Sequence, residues 1–119
     1  MKVEEAIAYC LSKKEAKETY PFDEETLVFK VAGKMFGLVY DMEGRQGLNL
    51  KCDPDLSQVL RQQYEDVFPG YHMNKKHWNT VLFNGDVPDE EIINLVDISY
   101  EIVVKSLKKA DRERILHGD

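Results

Sequence analysis

Hydrophobic and polar positions change period several times along the chain. Val3, Ile7, Cys10 and Leu11 recur at helical spacing, with Lys13 and Lys14 where cations suit a helix C-terminus, which predicts a helix over about residues 2–13. Tyr20-Pro21-Phe22 calls for extended backbone, because proline pushes its predecessor out of the α region. From Glu25 the period becomes two: Leu27, Phe29 and Val31 share one strand face, Val28 and Lys30 the other. Gly33-Lys34 suits a two-residue II′ turn, returning a second strand over about Met35 to Tyr40. Residues Asp41 to Gly47 read as a longer polar loop with two glycines. Leu48, Leu50 and Cys52 then alternate with Asn49 and Lys51 as a third strand.

Asp53-Pro54-Asp55 marks a helix start, with Asp as N-cap and Pro in the first turn, and Leu56, Val59, Leu60 and Tyr64 supply its buried stripe. Pro69-Gly70 breaks the chain. Trp78, Thr80 and Leu82 alternate with His77, Asn79 and Val81, predicting a strand over about 77–83. After the Asn84-Gly85 turn, Asp89-Glu90-Glu91 open a long helix over about 89–108. Ile93, Val96, Tyr100, Val103 and Leu107 form its stripe, which Ile92, Leu95, Ile98, Ile102 and Val104 widen. So broad a stripe is packed on more than one side, against a sheet and against the first helix or another subunit. The order α-β-β-β-α-β-α indicates an α+β fold, an antiparallel sheet with helices packed on one side.

The 119 residues fit one domain, 1–119, and 43% hydrophobic with 32% charged residues excludes disorder as the default. No apolar run approaches the ~20 residues of a membrane span, so no membrane association is expected. The acids of Met1-Lys2-Val3-Glu4-Glu5 stand where a signal peptide would be basic and then apolar. Two isolated cysteines, Cys10 and Cys52, fit reduced thiols in a cytoplasm. The net charge of −6 argues against coating nucleic acid with the whole surface, yet the charge is uneven. Residues 30–80 carry seven basic and six acidic side chains, and Val67 to Gly85 contains no acid while holding His72, Lys75, Lys76 and His77.

The sequence contains no phosphate-binding glycine loop, nucleophile elbow or paired-cysteine motif, so no enzyme and no cofactor are expected. Cys52 with His72 and His77 is the remaining constellation for a metal or a nucleophile, and Cys52 lies at the inward phase of its strand. The cations are more informative. Lys30 and Lys51 fall at outward phases, Lys34 at a turn, Arg45 in a loop, and Lys75-Lys76 before a strand. Converging on one exposed face, they would contact phosphates. Tyr71 and Trp78 would stack on a base or sugar, with His72 and His77 nearby. Structural roles compete with these: outward lysines block edge pairing, and a lone Trp usually belongs to a core.

Phe29-Lys30-Val31-Ala32-Gly33-Lys34-Met35-Phe36, then Leu50-Lys51-Cys52-Asp53-Pro54, then Pro69-Gly70-Tyr71-His72-Met73-Asn74-Lys75-Lys76-His77-Trp78-Asn79, then Ser99-Tyr100, closely resemble the MmcQ/YjbR family in order and spacing. Tyr20-Pro21-Phe22 departs from the Pro-Gly element the family often has there. The resemblance implies a small bacterial cytoplasmic α+β domain, related in fold to secretion chaperones and the CyaY type. It also implies DNA binding through a double-wing arrangement, and Lys30, Lys34, Lys51, Lys75, Lys76 and His77 match motif positions. The expected partner is therefore DNA, bound locally and salt-sensitively. The rival is a chaperone-like protein-interaction module or homodimer with no nucleic-acid role, motivated by the acidity and the broad stripe of the last helix.

Overall fold

The computed structural model describes residues 1–70 and 73–118. The chain runs α1 (Val3–Ser12), β1 (Ala16–Thr19), β2 (Val28–Val31), β3 (Lys34–Met42), β4 (Arg45–Lys51), α2 (Pro54–Gln63), β5 (Val67–Pro69), β6 (Trp78–Leu82), α3 (Asp89–Lys105) and α4 (Lys109–His117). The six strands pair antiparallel in the order β1-β2-β3-β4-β6-β5. One apolar cluster joins the sheet residues Phe29, Val31, Leu48, Leu50 and Val81 to Ala6 and Cys10 of α1, Leu60 of α2, Ile92 and Val96 of α3 and Ile115 of α4. This is the α+β arrangement with helices on one face that the periodicity predicts.

Three elements extend the expected order. Strand β1 is four residues, Ala-Lys-Glu-Thr, too short and polar to show a period. Strand β5 ends on a proline at the sheet edge, and α4 buries only Ile115. Val59, expected in the stripe of α2, is 54% exposed, because that helix meets the sheet at its margin through Leu60 and Ser57.

The turns also differ from expectation. Val31 pairs with Lys34, so Ala32 and Gly33 are the central residues, both at positive φ (47° and 82°), a I′ turn in place of II′. Met42 pairs with Arg45 across Glu43 (52°) and Gly44 (90°), so the expected long loop is a second tight turn and β4 starts at Arg45. These turns fix which face each side chain takes, because directly paired residues share a face.

Between β2 and β3 the register slips: Phe29 pairs with Gly37 but Lys30 with Met35, leaving Phe36 as a bulge residue. Phe36 is fully buried and meets Tyr100 edge-on, with centroids 5.2 Å apart at 88°. Ser99 of α3 serves the backbone at this irregularity. Its hydroxyl donates to Phe36 O (2.5 Å) and accepts from the Lys51 N–H (2.8 Å). A helix side chain thus bridges β3 and β4 where their ladder ends at Gly37–Leu50.

Most of the broad stripe of α3 packs within the chain, on the sheet, α1 and α4, while Ile93 and Ile102 are half-buried. Asp97 accepts from Tyr9 Oη (2.6 Å) and Lys13 Nζ (2.8 Å) of the α1 segment, and Tyr100 Oη donates to Lys14 O (2.5 Å).

Replacing Ser99 by Ala orphans Phe36 O and the Lys51 N–H. Urea unfolding is expected to show a loss of about 2–4 kcal/mol, with Ser99→Thr retaining more stability than Ser99→Ala. A loss below about 0.5 kcal/mol would mean the bridge carries no weight.

Candidate functional site

Register and alternation separate the cations. On the side of the sheet away from the helices lie Lys17 of β1 and Lys30 of β2, which pair directly across the strands. Lys51 takes the same side, since its neighbour Leu50 is in the core, and it pairs with Trp78. All three fall at the end of the sheet where β2 finishes, β4 finishes and β6 begins. The segment carrying Lys75 and Lys76 leads into β6 at that end.

This segment is pinned through its backbone. Asn74 Oδ1 accepts from the Lys76 N–H (2.9 Å) and Asn74 O from those of His77 (3.2 Å) and Trp78 (3.0 Å). Lys75 O accepts from Arg61 Nη2 (2.6 Å), and His77 O from the Cys52 N–H (2.8 Å). The Lys75 and Lys76 side chains stay exposed while their backbone is fixed; His77 is half-buried. Among the described residues, Lys17, Lys30, Lys51, Lys75 and Lys76 form no ion pair. Lys17, Thr19, Lys30, Ala32 and Gly33 line a depression of about 320 Å³, which the Arg114–Glu15 pair also borders.

Several expected members take other roles. Lys34 shares Val31's side and its Nζ donates to Ser106 O (3.2 Å) just past α3, so it faces the helices rather than the cationic side. Arg45 sits at the opposite end of the sheet, paired with Asp66 at 3.1 Å. Trp78 is only 8% exposed and supports the sheet rather than offering a stacking surface. A Cβ on Gly70 would lie 2.6 Å from Trp78 Cβ, and the Gly70 N–H donates to Trp78 O (2.7 Å), so glycine is required there. Tyr71 and His72 lie outside the described residues. Lys17 was hidden by its short polar strand; only the pairing register brings it beside Lys30.

Two of the carboxylates at the cationic end are engaged, while Glu18 and Asp55 are exposed. Asp53 Oδ1 accepts from the Asp55 and Leu56 N–H groups as the α2 cap, and Glu15 is held below the ordinary carboxylate range by the hydrogen bond and charge of Arg114. Further acids gather at the other end, around Glu25, Asp41 and Glu43, where Asp41 accepts from the Gly44 N–H. The molecule is therefore polarised along its strands.

Cys52 is 3% exposed and lies in the apolar core, and Cys10 is fully buried. Burial raises the Cys52 thiol and pushes Cys10 up to about 12. Neither is a thiolate nucleophile in this setting. Among the described residues, no group of three or more His, Cys, Asp or Glu is placed to hold a metal. No helix among them is long and apolar enough to cross a membrane.

The YjbR family model matches residues 11–102, and the chain belongs to the YjbR family. It is 37% identical to YjbR of Escherichia coli K12 over 116 residues, 98% of each chain, and 39% identical to YbdF of Escherichia coli O157:H7 over 99 residues, 83% of this chain and 81% of that one. The crystal structure of Deinococcus radiodurans DR2400, a DUF419 domain, superposes with a TM-score of 0.86 at 39% identity, covering 95% of this chain and 86% of that one. A crystal structure from Pseudomonas syringae gives 0.77 at 29% identity, covering 86% and 98%. These names carry no enzymatic activity.

The raised thiols set an alkaline limit. The native state retains protons that the unfolded chain sheds near the ordinary thiol value of 9.0, so their contribution is complete below that pH and is lost as the pH climbs toward 12. Tyr9, raised by its Asp97 hydrogen bond, and Tyr100, raised by burial, act in the same direction. Stability by urea unfolding is expected to fall above about pH 9, less steeply in Cys10→Ala. At pH 8 both thiols of the folded protein should resist iodoacetamide and react once unfolded; rapid native labelling of Cys52 would restore it as a candidate nucleophile.

Proposed function

We propose that the chain binds DNA through the cationic end of its helix-free sheet face, with Lys17, Lys30, Lys51, Lys75 and Lys76 as phosphate contacts. The observation that carries this reading is the direct pairing of Lys17 with Lys30, in no ion pair among the described residues, in the same region as Lys51. Like charges opposite one another on neighbouring strands destabilise a sheet, and a bound phosphate removes that cost. Phosphate contacts of this kind supply affinity without sequence preference. The β2–β3 hairpin, whose I′ turn stands beside these lysines, is the element best placed to act as a wing. His77 flanks the site, and Lys34 serves the hairpin's attachment to α3. The cytoplasm, with its DNA and its reducing conditions, is the compartment that suits this activity and two unpaired thiols.

Fluorescence anisotropy with a short labelled duplex tests the reading. With three to five phosphates neutralised, log K is expected to fall against log salt with a slope of about −3 to −4.5. Lys17→Glu/Lys30→Glu and Lys75→Glu/Lys76→Glu should each weaken binding by at least about tenfold and flatten the slope, while Lys34→Gln changes little. Absence of binding at tens of micromolar protein in low salt, or affinity unchanged from the parent chain in both double variants, overturns it.

A further inference from the structure

The helices leave one part of their own side of the sheet open. At the acidic end, between α1 and the segment joining β1 to β2, a groove of about 470 Å³ is floored by Val3, Ile7, Leu27 and Val39. Tyr20, Glu25 and Asp41 stand around it, and no cation lines it. Tyr20, which lines it, is 49% exposed, and Phe22, two residues further along the chain, is 66% exposed.

The segment that carries them is held in shape. Asp23 Oδ1 accepts from the Glu25 N–H (2.8 Å) and the Thr26 N–H (2.5 Å), and Oδ2 accepts from Thr26 Oγ1 (2.9 Å). These bonds also keep the Asp23 carboxyl below its ordinary range. Glu25 has no cationic partner among the described residues, and Asp41 uses one oxygen to accept from the Gly44 N–H (2.7 Å). An apolar floor with unneutralised carboxylates at its margin is complementary to a side chain with an aliphatic stem and a cationic head.

We propose that this groove docks a basic amphipathic peptide segment of another protein, its apolar side chains on Val39 and Leu27 and its arginines or lysines on Glu25 and Asp41, with Tyr20 and Phe22 closing over it. The groove lies on the opposite side of the sheet from the lysines, so the inference stands independently of DNA binding.

The test uses the full chain and a labelled, end-blocked peptide of about twelve residues with leucine and arginine at helical spacing, beside its glutamate-for-arginine counterpart. Binding of the basic peptide is expected with a dissociation constant on the order of 10–100 µM, and none of the acidic one. Glu25→Gln/Asp41→Asn and Tyr20→Ser/Phe22→Ser should each weaken it by at least about fivefold, whereas Lys51→Glu should not. Backbone amide shifts on titration should map to Val3, Ile7, Leu27 and Val39. Equal binding of both peptides, shifts elsewhere, or no effect of either groove variant overturns the proposal. So does a concentration-dependent dimer by sedimentation that Tyr20→Ser/Phe22→Ser abolishes, because a second copy would then be the occupant.

Discussion

The arrangement of this protein depends on one hydroxyl group. Ser99 takes the Lys51 N–H and gives its proton to Phe36 O, closing the gap left where the β3–β4 ladder ends. The bulge places Phe36 in the core and keeps Lys30 on the far side; the bridge holds β4 in line so that Lys51 follows. Tyr100, the next residue, packs on Phe36 and donates to Lys14 O, carrying the constraint into the connection that leads to β1. Two adjacent residues of α3 thus tie together the sheet on which the candidate lysines stand, one at β3 and β4 and the other at the approach to β1. Buried backbone groups without partners are costly, which makes a serine at this depth more valuable than a larger apolar residue.

Register, more than composition, creates the candidate site. Lys17, Lys30 and Lys51 come from three strands: Lys30 and Lys51 take the helix-free side because their neighbours are claimed by the core, and Lys17 because it pairs with Lys30. The same rule sends Lys34, four residues after Lys30, to the helix side, where it meets the carbonyl of Ser106. Two lysines of one short motif therefore do different work.

Much of this was legible in the sequence. The alternation of Leu27 to Val31 and of Leu48 to Cys52, the Asp53-Pro54 cap and the stripe of α3 each belong to a single element whose period states its burial. What stayed hidden depends on pairing between distant segments. Ala16–Thr19 becomes a strand only because β2 offers an edge, and Lys17 matters only through its partner Lys30. The turn centred on Ala32-Gly33 was misplaced by one residue because alanine there must accept a positive φ, which local preference alone does not anticipate. Trp78 reads equally as a stacking platform or as core, and its 8% exposure favours the latter.

Strand β3, nine residues between its two tight turns, spans about 30 Å and separates the lysines at one end from the unneutralised acids at the other. That span exceeds the ~8 Å screening length of physiological saline several times over, so an approaching polyion senses the nearer pole and not the sum. A chain of net charge −6 still gathers several lysines toward one end of its sheet. If the chain binds a polyanion as proposed, this asymmetry would turn its β2–β3 hairpin end toward that partner before contact.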